Sequence, residues 1–307
     1  MAIAARVRAG DFFDPDEWRV LSARSSWIGL GLLAHCWAVI GLAMVVGANW
    51  PLLLPICIMV VGARQLGLAI LMHDAAHSAL HPVPWINDFV GEYLCTPGLK
   101  RYRRYHLQHH KFAQQAEDPD LVLSAPFPIT GESLRRKMIR DLTGQTFFKQ
   151  RFGGMLARLR GAKSTSDAIP ILVGDATRMG RFLASNLAGL VIFGSFGYAW
   201  VYVMLWIVPM ATWLPLVTRL RNIAEHALIA KDEPDPLHHA RTTQANWLER
   251  ALIAPYWVNY HCEHHMFMYV PCWQLPGLSR ALIAKGRGPD MLRASGYLSV
   301  LRAAASR

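Results

Sequence analysis

Residues 25–63 read SSWIGLGLLAHCWAVIGLAMVVGANWPLLLPICIMVVGA, 39 positions without a single Asp, Glu, Lys or Arg. A hydrocarbon layer about 30 Å thick is crossed by about 20 apolar residues in a helix, so this run is two crossings long. Asn49-Trp50-Pro51 marks a turn near its middle, and the stretch predicts a helical hairpin in a membrane. A second charge-free run, 37 residues from Phe182 to Thr218, predicts a second hairpin with its tip near Gly197 to Trp200. Pro209 and Pro215 should kink its return helix. In the first hairpin only 13 residues separate Pro51 from Arg64, too few for a crossing at 1.5 Å each, so that helix is expected to run on and emerge near His73.

The composition agrees: 53% hydrophobic, 10% aromatic and only 17% charged residues favour a membrane protein. The net charge of +11 raises nucleic acid as a partner, but its distribution argues against it. Sixteen of the 32 basic residues lie between Pro97 and Arg181, Arg219 and Arg221 follow the second run, and Arg6, Arg8, Arg19 and Arg24 precede the first. The hairpin tips carry none, so the positive-inside bias places both termini and the central segment in the cytoplasm. The expected class is all-α: an integral membrane protein with four transmembrane helices, in hairpins at about 25–72 and 182–218. A cytoplasmic helical cap, built from segments 73–181 and 219–307, should hold a histidine-rich di-metal site. Residues 1–24 read as a cytoplasmic leader, with a helix start at Asp14-Pro-Asp-Glu-Trp18, and residues 25–307 as a single membrane domain. Five cysteines without a CxxC pair indicate neither a disulfide framework nor a zinc ribbon. The apolar stretch is too long for a signal-peptide core.

Histidine is concentrated where the apolar runs end. Asn259-Tyr-His-Cys-Glu-His-His-Met-Phe267 puts His261, His264 and His265 within five residues. Tyr105-His-Leu-Gln-His-His-Lys111 repeats the spacing with His106, His109 and His110, and His73-Asp-Ala-Ala-His77 sets two imidazoles one helical turn apart. Positions i, i+3 and i+4 share a helix face, so each triad is expected to aim at a common spot, which is a metal-ligand layout. Asn222 and His226 stand at i and i+4 at the end of the last span. Glu117-Asp-Pro-Asp120 supplies carboxylates, and ligating imidazoles commonly donate their second N–H to such groups. Asp118 or Asp120 is therefore a candidate outer partner; a solvated turn at Pro119 is the alternative. His35 is read as packed or hydrogen-bonded, His81 as capping or supporting, and His238 and His239 as loop residues.

An even number of crossings per apolar run returns the chain to its starting side, so all these clusters lie at one membrane face. Together they offer His73, His77, His106, His109, His110, His226, His261, His264 and His265, plus the weaker oxygen of Asn222. A structural zinc is closed by four ligands and favours Cys, so nine histidines are too many for one. Imidazole suits iron, copper, nickel and zinc alike, and two ions with four or five nitrogens each fit the count. Iron fits the chemistry: methylene C–H bonds of acyl chains are too weakly acidic for side-chain bases and need oxygen activated by a redox metal. No catalytic group beyond the metal ligands is indicated, and no GxSxG nucleophile motif is present.

In the boxes HDAAH at 73–77, HLQHH at 106–110 and HCEHH at 261–265, with two hairpins and the loops between, the sequence resembles the membrane fatty acid desaturase superfamily. These are integral-membrane di-iron enzymes that desaturate or hydroxylate lipids with O2. The resemblance runs from about Arg64 to Pro276. It implies that the nine histidines ligate two iron ions, and that Asn222, matching the Asn-x3-His of the stearoyl-CoA branch, lies near one of them through water. It also implies O2 as co-substrate, a separate ferredoxin or cytochrome b5 type electron donor, and a lipid or acyl-chain substrate drawn from the bilayer. The implied location is a bacterial inner membrane with a cytoplasmic site. A desaturase that introduces a double bond into an acyl chain is the leading expectation, with a hydroxylase or carotenoid ketolase of the same superfamily as the alternative. A metal or haem transporter is the non-enzymatic alternative; it predicts histidines spread through the depth of the spans.

Overall fold

The computed structural model describes residues 6–95, 98–124 and 126–307. It is mostly helical; among the described residues the only named strands are the two-residue pair Thr242–Thr243 and Arg293–Ala294, which run parallel. Among the described residues, three helices are long and apolar enough to cross a membrane: Ile28–Asn49, Pro51–Ala76 and Ala199–His226. The first two form the predicted hairpin, joined through Trp50. At 22 residues the first is about 33 Å long. Trp27 and Trp50 stand 80% and 58% exposed at its two ends, where indole rings suit the headgroup level.

The second hairpin differs from its expectation. The crossing expected to begin at Phe182 belongs to a helix that begins earlier, Thr165–Ser195, and carries Asp167, Asp175, Arg178 and Arg181. Its charge-free part, Phe182 to Ser195, is 14 residues, about 21 Å, so it is not by itself a full apolar span. The turn that follows is where it was expected: Gly197 has φ +80°, a left-handed conformation open to glycine without strain. The return helix is broken as its prolines require. Proline has no N–H and clashes with the carbonyl four residues back. Pro209 therefore frees Leu205, which lies in a widened π-helical stretch, Val203–Ile207. Pro215 frees Ala211, where the helix stops before a break at Thr212.

The chain divides into two compact units. One comprises Val39–Gln65 and Arg135–Leu216. Here Gly189 lets the Tyr202 ring approach so closely that a Cβ would sit 2.4 Å from it, and Tyr202 donates to Asn186 Oδ1 at 3.1 Å. Gln65 donates to Trp206 O at 2.8 Å, satisfying a carbonyl in the π-helical stretch. Helices Gly131–Leu142 and Gln145–Gly161 lie within the basic stretch between Pro97 and Arg181. In the second of them Arg158 pairs with buried Asp175, which Arg178 also holds at 2.6 Å.

The other unit comprises the N-terminal stretch to Ala38, Leu66–Leu134 and Val217–Arg307. Its core includes Leu71, Leu80, Leu99, Ile223, Leu278 and Leu282, all fully buried. The helix Pro15–Leu21 starts where expected. Asp14 accepts from Asp16 and Glu17 N–H at 3.0 and 2.9 Å, and Glu17 reaches back to Asp14 N at 3.1 Å, a reciprocal cap. The eight box histidines and His226 all lie in this unit.

Candidate metal centre

Each histidine is delivered by a short local device. His73 lies on the last turn of Leu54–Ala76, and His77 follows it, with His77 N bonded to His73 O at 3.2 Å. Arg103 closes that helix end, donating to Ala76 O at 2.9 Å and Ala75 O at 3.1 Å. His226 ends the helix Trp213–His226, and there buried Arg241 plays the same part, donating to Ala224 O at 3.1 Å and Ala227 O at 2.9 Å. His106, His109 and His110 ride on Leu99–Lys111, entered through Gly98 at φ +107°. His261, His264 and His265 occupy His261–Met266, a helix of six residues. Cys262 N donates to Thr242 Oγ1 at 3.2 Å, and Asn259 Nδ2 donates to Thr243 O at 3.0 Å.

His73, His77, His106, His110 and His264 bring one ring nitrogen each to within 4.8 Å of one another. His109, His226 and His265 form a second such group; His226 also joins His261 and Glu225. The nine histidines thus converge, but the triads do not each aim at one spot. His106 and His110 enter the first group while His109 enters the second; His264 enters the first, His265 the second, and His261 the group with His226 and Glu225. Successive residues on a helix point about 100° apart, so the adjacent pairs His109/His110 and His264/His265 serve different groups. The groups adjoin, with the His110 and His265 rings 4.4 Å apart.

The spacing and the leftover atoms suit cations. The Nε2–Nε2 distances are 3.0 Å for His106–His110, His110–His264 and His226–His261, and 3.3 Å for His109–His265. Nitrogens about 2.1 Å from one ion and at right angles are about 3.0 Å apart. His73 Nε2, both nitrogens of His77 and His226 Nδ1 are buried without a hydrogen-bond partner. Such orphans are costly in a native interior, and a bound cation accounts for His73 Nε2 and for one nitrogen of His77. Burial disfavours the imidazolium at His77, His106, His110, His261, His264 and His265, and positive neighbours add to this, so each is pushed well below the ordinary histidine pKa. Neutral imidazoles are the form that ligates. Burial works the same way on His109, but the hydrogen bond and charge of Asp118 outweigh it and raise its pKa.

Asp118 is the carboxylate on His109, at 2.8 Å from Nδ1, and also accepts from Gln114 N at 3.0 Å and Asp120 N at 2.8 Å. Asp120 stands farther off, 3.7 Å from His109 Nδ1, and accepts from the Tyr105 hydroxyl. Asn222 is half-buried one turn before His226; the carboxylate that joins the ligand groups on this helix is Glu225. Glu225 Oε2 lies 3.5 Å from His261 Nε2 and 3.0 Å from Arg221 Nε. In sequence alone it is indistinct, because Arg-x3-Glu at i, i+4 also describes an ordinary helix-surface ion pair. Asp74 is likewise indistinct in sequence; it touches His73 Nδ1 at 3.4 Å and accepts from Cys272 N at 2.8 Å. The remaining histidines stay outside the groups. His35 Nδ1 meets the Tyr256 hydroxyl at 3.0 Å, His81 Nδ1 accepts from Val83 N at 3.0 Å, and His239 Nε2 meets Glu233 O at 2.9 Å. His238 lies near Glu233 and Asp235.

His265 is only half-buried, and it lines an open cleft of about 710 Å³ with Met266, Phe267, Met268 and Val270. The second ligand group is therefore approached along an apolar wall.

The chain is 26% identical over 237 residues to the dihydrorhizobitoxine desaturase of Bradyrhizobium elkanii, covering 73% of this chain and 66% of that protein. It is 27% identical over 271 residues to a beta-carotene ketolase of Paracoccus sp. (strain PC1), covering 81% and 91%. It is 23% identical over 279 residues to an sn-1 oleoyl-lipid 12-desaturase of Arthrospira platensis, covering 84% and 73%. The model of the family described as fatty acid desaturase matches residues 48–292. That span contains all three histidine boxes, and the chain belongs to the fatty acid desaturase family.

Proposed function

We propose that the chain is an O2-dependent di-iron desaturase that removes two hydrogens from neighbouring carbons of an acyl chain. The observation that carries this is the convergence of nine histidines into adjoining ligand groups, one of five histidines and two smaller ones that share His226. Iron held there supplies the oxygen activation that unactivated C–H bonds need. In this reading His73, His77, His106, His110 and His264 hold one ion, and His109, His226, His261 and His265, with Glu225, hold the other. Asn222 supports the second through water. Asp118 fixes the His109 ring with Nδ1–H turned outward, so that Nε2 presents its lone pair. Burial keeps the imidazoles neutral and the reacting space dry. The apolar wall at Phe267 and Met268 holds the chain, whose position to within about an ångström decides which hydrogens are reached.

Residues 25–307 work as one membrane domain in a bacterial inner membrane, with the site and both termini on the cytoplasmic side. The helix Thr165–Ser195 completes a fourth crossing, with its charged turns around Asp175 and Arg178 beyond the apolar part. An acidic ferredoxin or a cytochrome b5 type protein delivers electrons at the basic face. The clustering of the ligands disfavours a transport path. Oxygen insertion, as in a ketolase, is the second reading; it is favoured by the ketolase match, which covers 91% of that relative.

The test is product analysis in a host without desaturases, fed isotope-labelled fatty acids, together with iron analysis of the purified chain. A fatty acid lighter by two hydrogens and about two irons per chain are expected. A gain of oxygen, or altered carotenoids with unchanged lipids, overturns desaturation in favour of the second reading. Protein that lacks iron but remains active overturns both.

A further inference from the structure

We infer that the N-terminal segment is a wall of the substrate site, and that Arg6 and Arg24 select an acyl amphiphile with an anionic head group. The inference rests on the reading of the metal centre as an acyl-chain oxidoreductase and adds the substrate's chemical class.

The cleft that reaches His265 is lined on one side by residues 265–270 and on the other by Arg6, Trp18 and Arg24 of the N-terminal segment. Its volume, about 710 Å³, lies in the range of about 300–1,000 Å³ typical of small-molecule sites. The segment does not hang free. Trp18 packs on Phe267 at 4.9 Å between ring centroids, and Phe13 stacks on Trp18 at 5.9 Å. Lys285 Nζ pairs with Glu17 at 2.8 Å, and Gln274 Nε2 donates to Val20 O at 3.2 Å. These contacts tie residues 13–20 to residues 267–285, on the carboxyl-terminal side of the third histidine box.

The lining divides by chemistry. Trp18, Phe267, Met268 and Val270 suit a hydrocarbon, whereas Arg6 and Arg24 are exposed, and the lining contains no Asp or Glu. A site for a pure hydrocarbon has no use for two guanidinium groups without an acidic partner in its wall. An acyl chain ending in a carboxylate or phosphate uses both halves: the chain lies on the aromatic wall toward His265 while the anion meets the arginines, whose planar forks suit such groups. The arrangement therefore favours an anionic acyl lipid over a carotenoid.

The test is photo-crosslinking of the purified full-length chain in neutral detergent. The probes are a long-chain fatty acid bearing a mid-chain diazirine, its methyl ester, and a lysophosphatidic acid with the same chain. Labelling of the peptide that contains Met266–Val270 is titrated by mass spectrometry. One exposed charge pair changes affinity by about two- to fivefold, so at least one anion should half-saturate this peptide at about tenfold lower concentration than the ester. The anion that labels at the lower concentration identifies carboxylate or phosphate as the head group. The preference should vanish in Arg6→Gln/Arg24→Gln and persist in Arg6→Lys/Arg24→Lys. Ester labelling in each variant reports that the apolar wall is still formed. Equal labelling by ester and anions, a preference that survives the double Gln change, or labels that avoid this peptide would overturn the inference. Intact charge-dependent labelling, together with no oxidised product in the desaturase-free host fed labelled fatty acids, overturns the oxidoreductase reading and leaves the cleft assignment standing.

Discussion

Asp118→Asn is the most discriminating single change at the metal centre. The carboxylate accepts three hydrogen bonds, from His109 Nδ1 at 2.8 Å, Gln114 N at 3.0 Å and Asp120 N at 2.8 Å. An amide of the same shape retains one acceptor oxygen and turns an N–H toward one of these donors. It also removes the negative charge that makes His109 a better electron-pair donor through its other nitrogen. Loss of such an outer partner costs about 10- to 100-fold in metal affinity, or about 1.4–2.8 kcal/mol. His109 belongs to only one ligand group, so the loss is confined to one ion. Purified protein equilibrated against a graded chelator and then assayed for iron should release its metal in two steps. Asp118→Asn should move one step to lower chelator concentration by one to two decades and leave the other in place. Asp120→Asn, acting from 3.7 Å, should move it by less than about threefold. Wild-type release by Asp118→Asn, or an equal effect from Asp120→Asn, would refute the assignment of Asp118 as the His109 partner.

Glu225→Gln leaves Arg221 without its counter-charge and takes a carboxylate from beside His261. Arg221 keeps 22% exposure, so the stability loss should be about 1–3 kcal/mol, read by thermal unfolding, with product formation falling as well; no change in either would make Glu225 a bystander. Gly189→Ala drives a Cβ to 2.4 Å from the rigid Tyr202 ring, whereas Gly180, on the same helix, has nothing within 4 Å. The first change should cost about 1–3 kcal/mol and Gly180→Ala should be neutral or stabilising by up to about 1 kcal/mol, as a pair of melting curves in detergent would show. Metal-free protein should be acid-labile. The unfolded chain takes up protons on histidine near pH 6.5, while the folded pKa values of His77, His106, His110, His261, His264 and His265 lie well below that. The unfolded state then binds more protons, so stability is full above about pH 6.5 and falls as pH drops, by up to about 1.4 kcal/mol per pH unit for each histidine. Unfolding temperatures that are equal at pH 7.5 and 5.5 would contradict this.

Much of the fold was legible because its signals are local. Charge-free length marked the first hairpin, and the Asp14 to Glu17 pattern marked a helix start. Pro209 and Pro215 announced a broken return helix whose widened and interrupted stretches lie where each ring removes a bond. The second hairpin was less legible. A charge-free window records where charges stop and says nothing of where a helix starts, and Thr165–Ser195 begins well before the window opens.

The sequence by itself determined that histidine gathers where the apolar runs end, at spacings that suit metal ligands. Charge-free length and residue spacing suffice for that, since both follow from the rise of a helix and the thickness of a bilayer. Only the tertiary structure decided how the histidines divide. His109 and His110, or His264 and His265, are neighbours along the chain, yet their directions differ by about 100°, and which metal group each meets depends on what the folded chain sets opposite. The same holds for Glu225, Asp74, Arg103 and Arg241, whose roles rest on contacts with residues distant in sequence or on the environment around the site. It holds too for the N-terminal segment, which reads as a leader until Trp18 is found against Phe267.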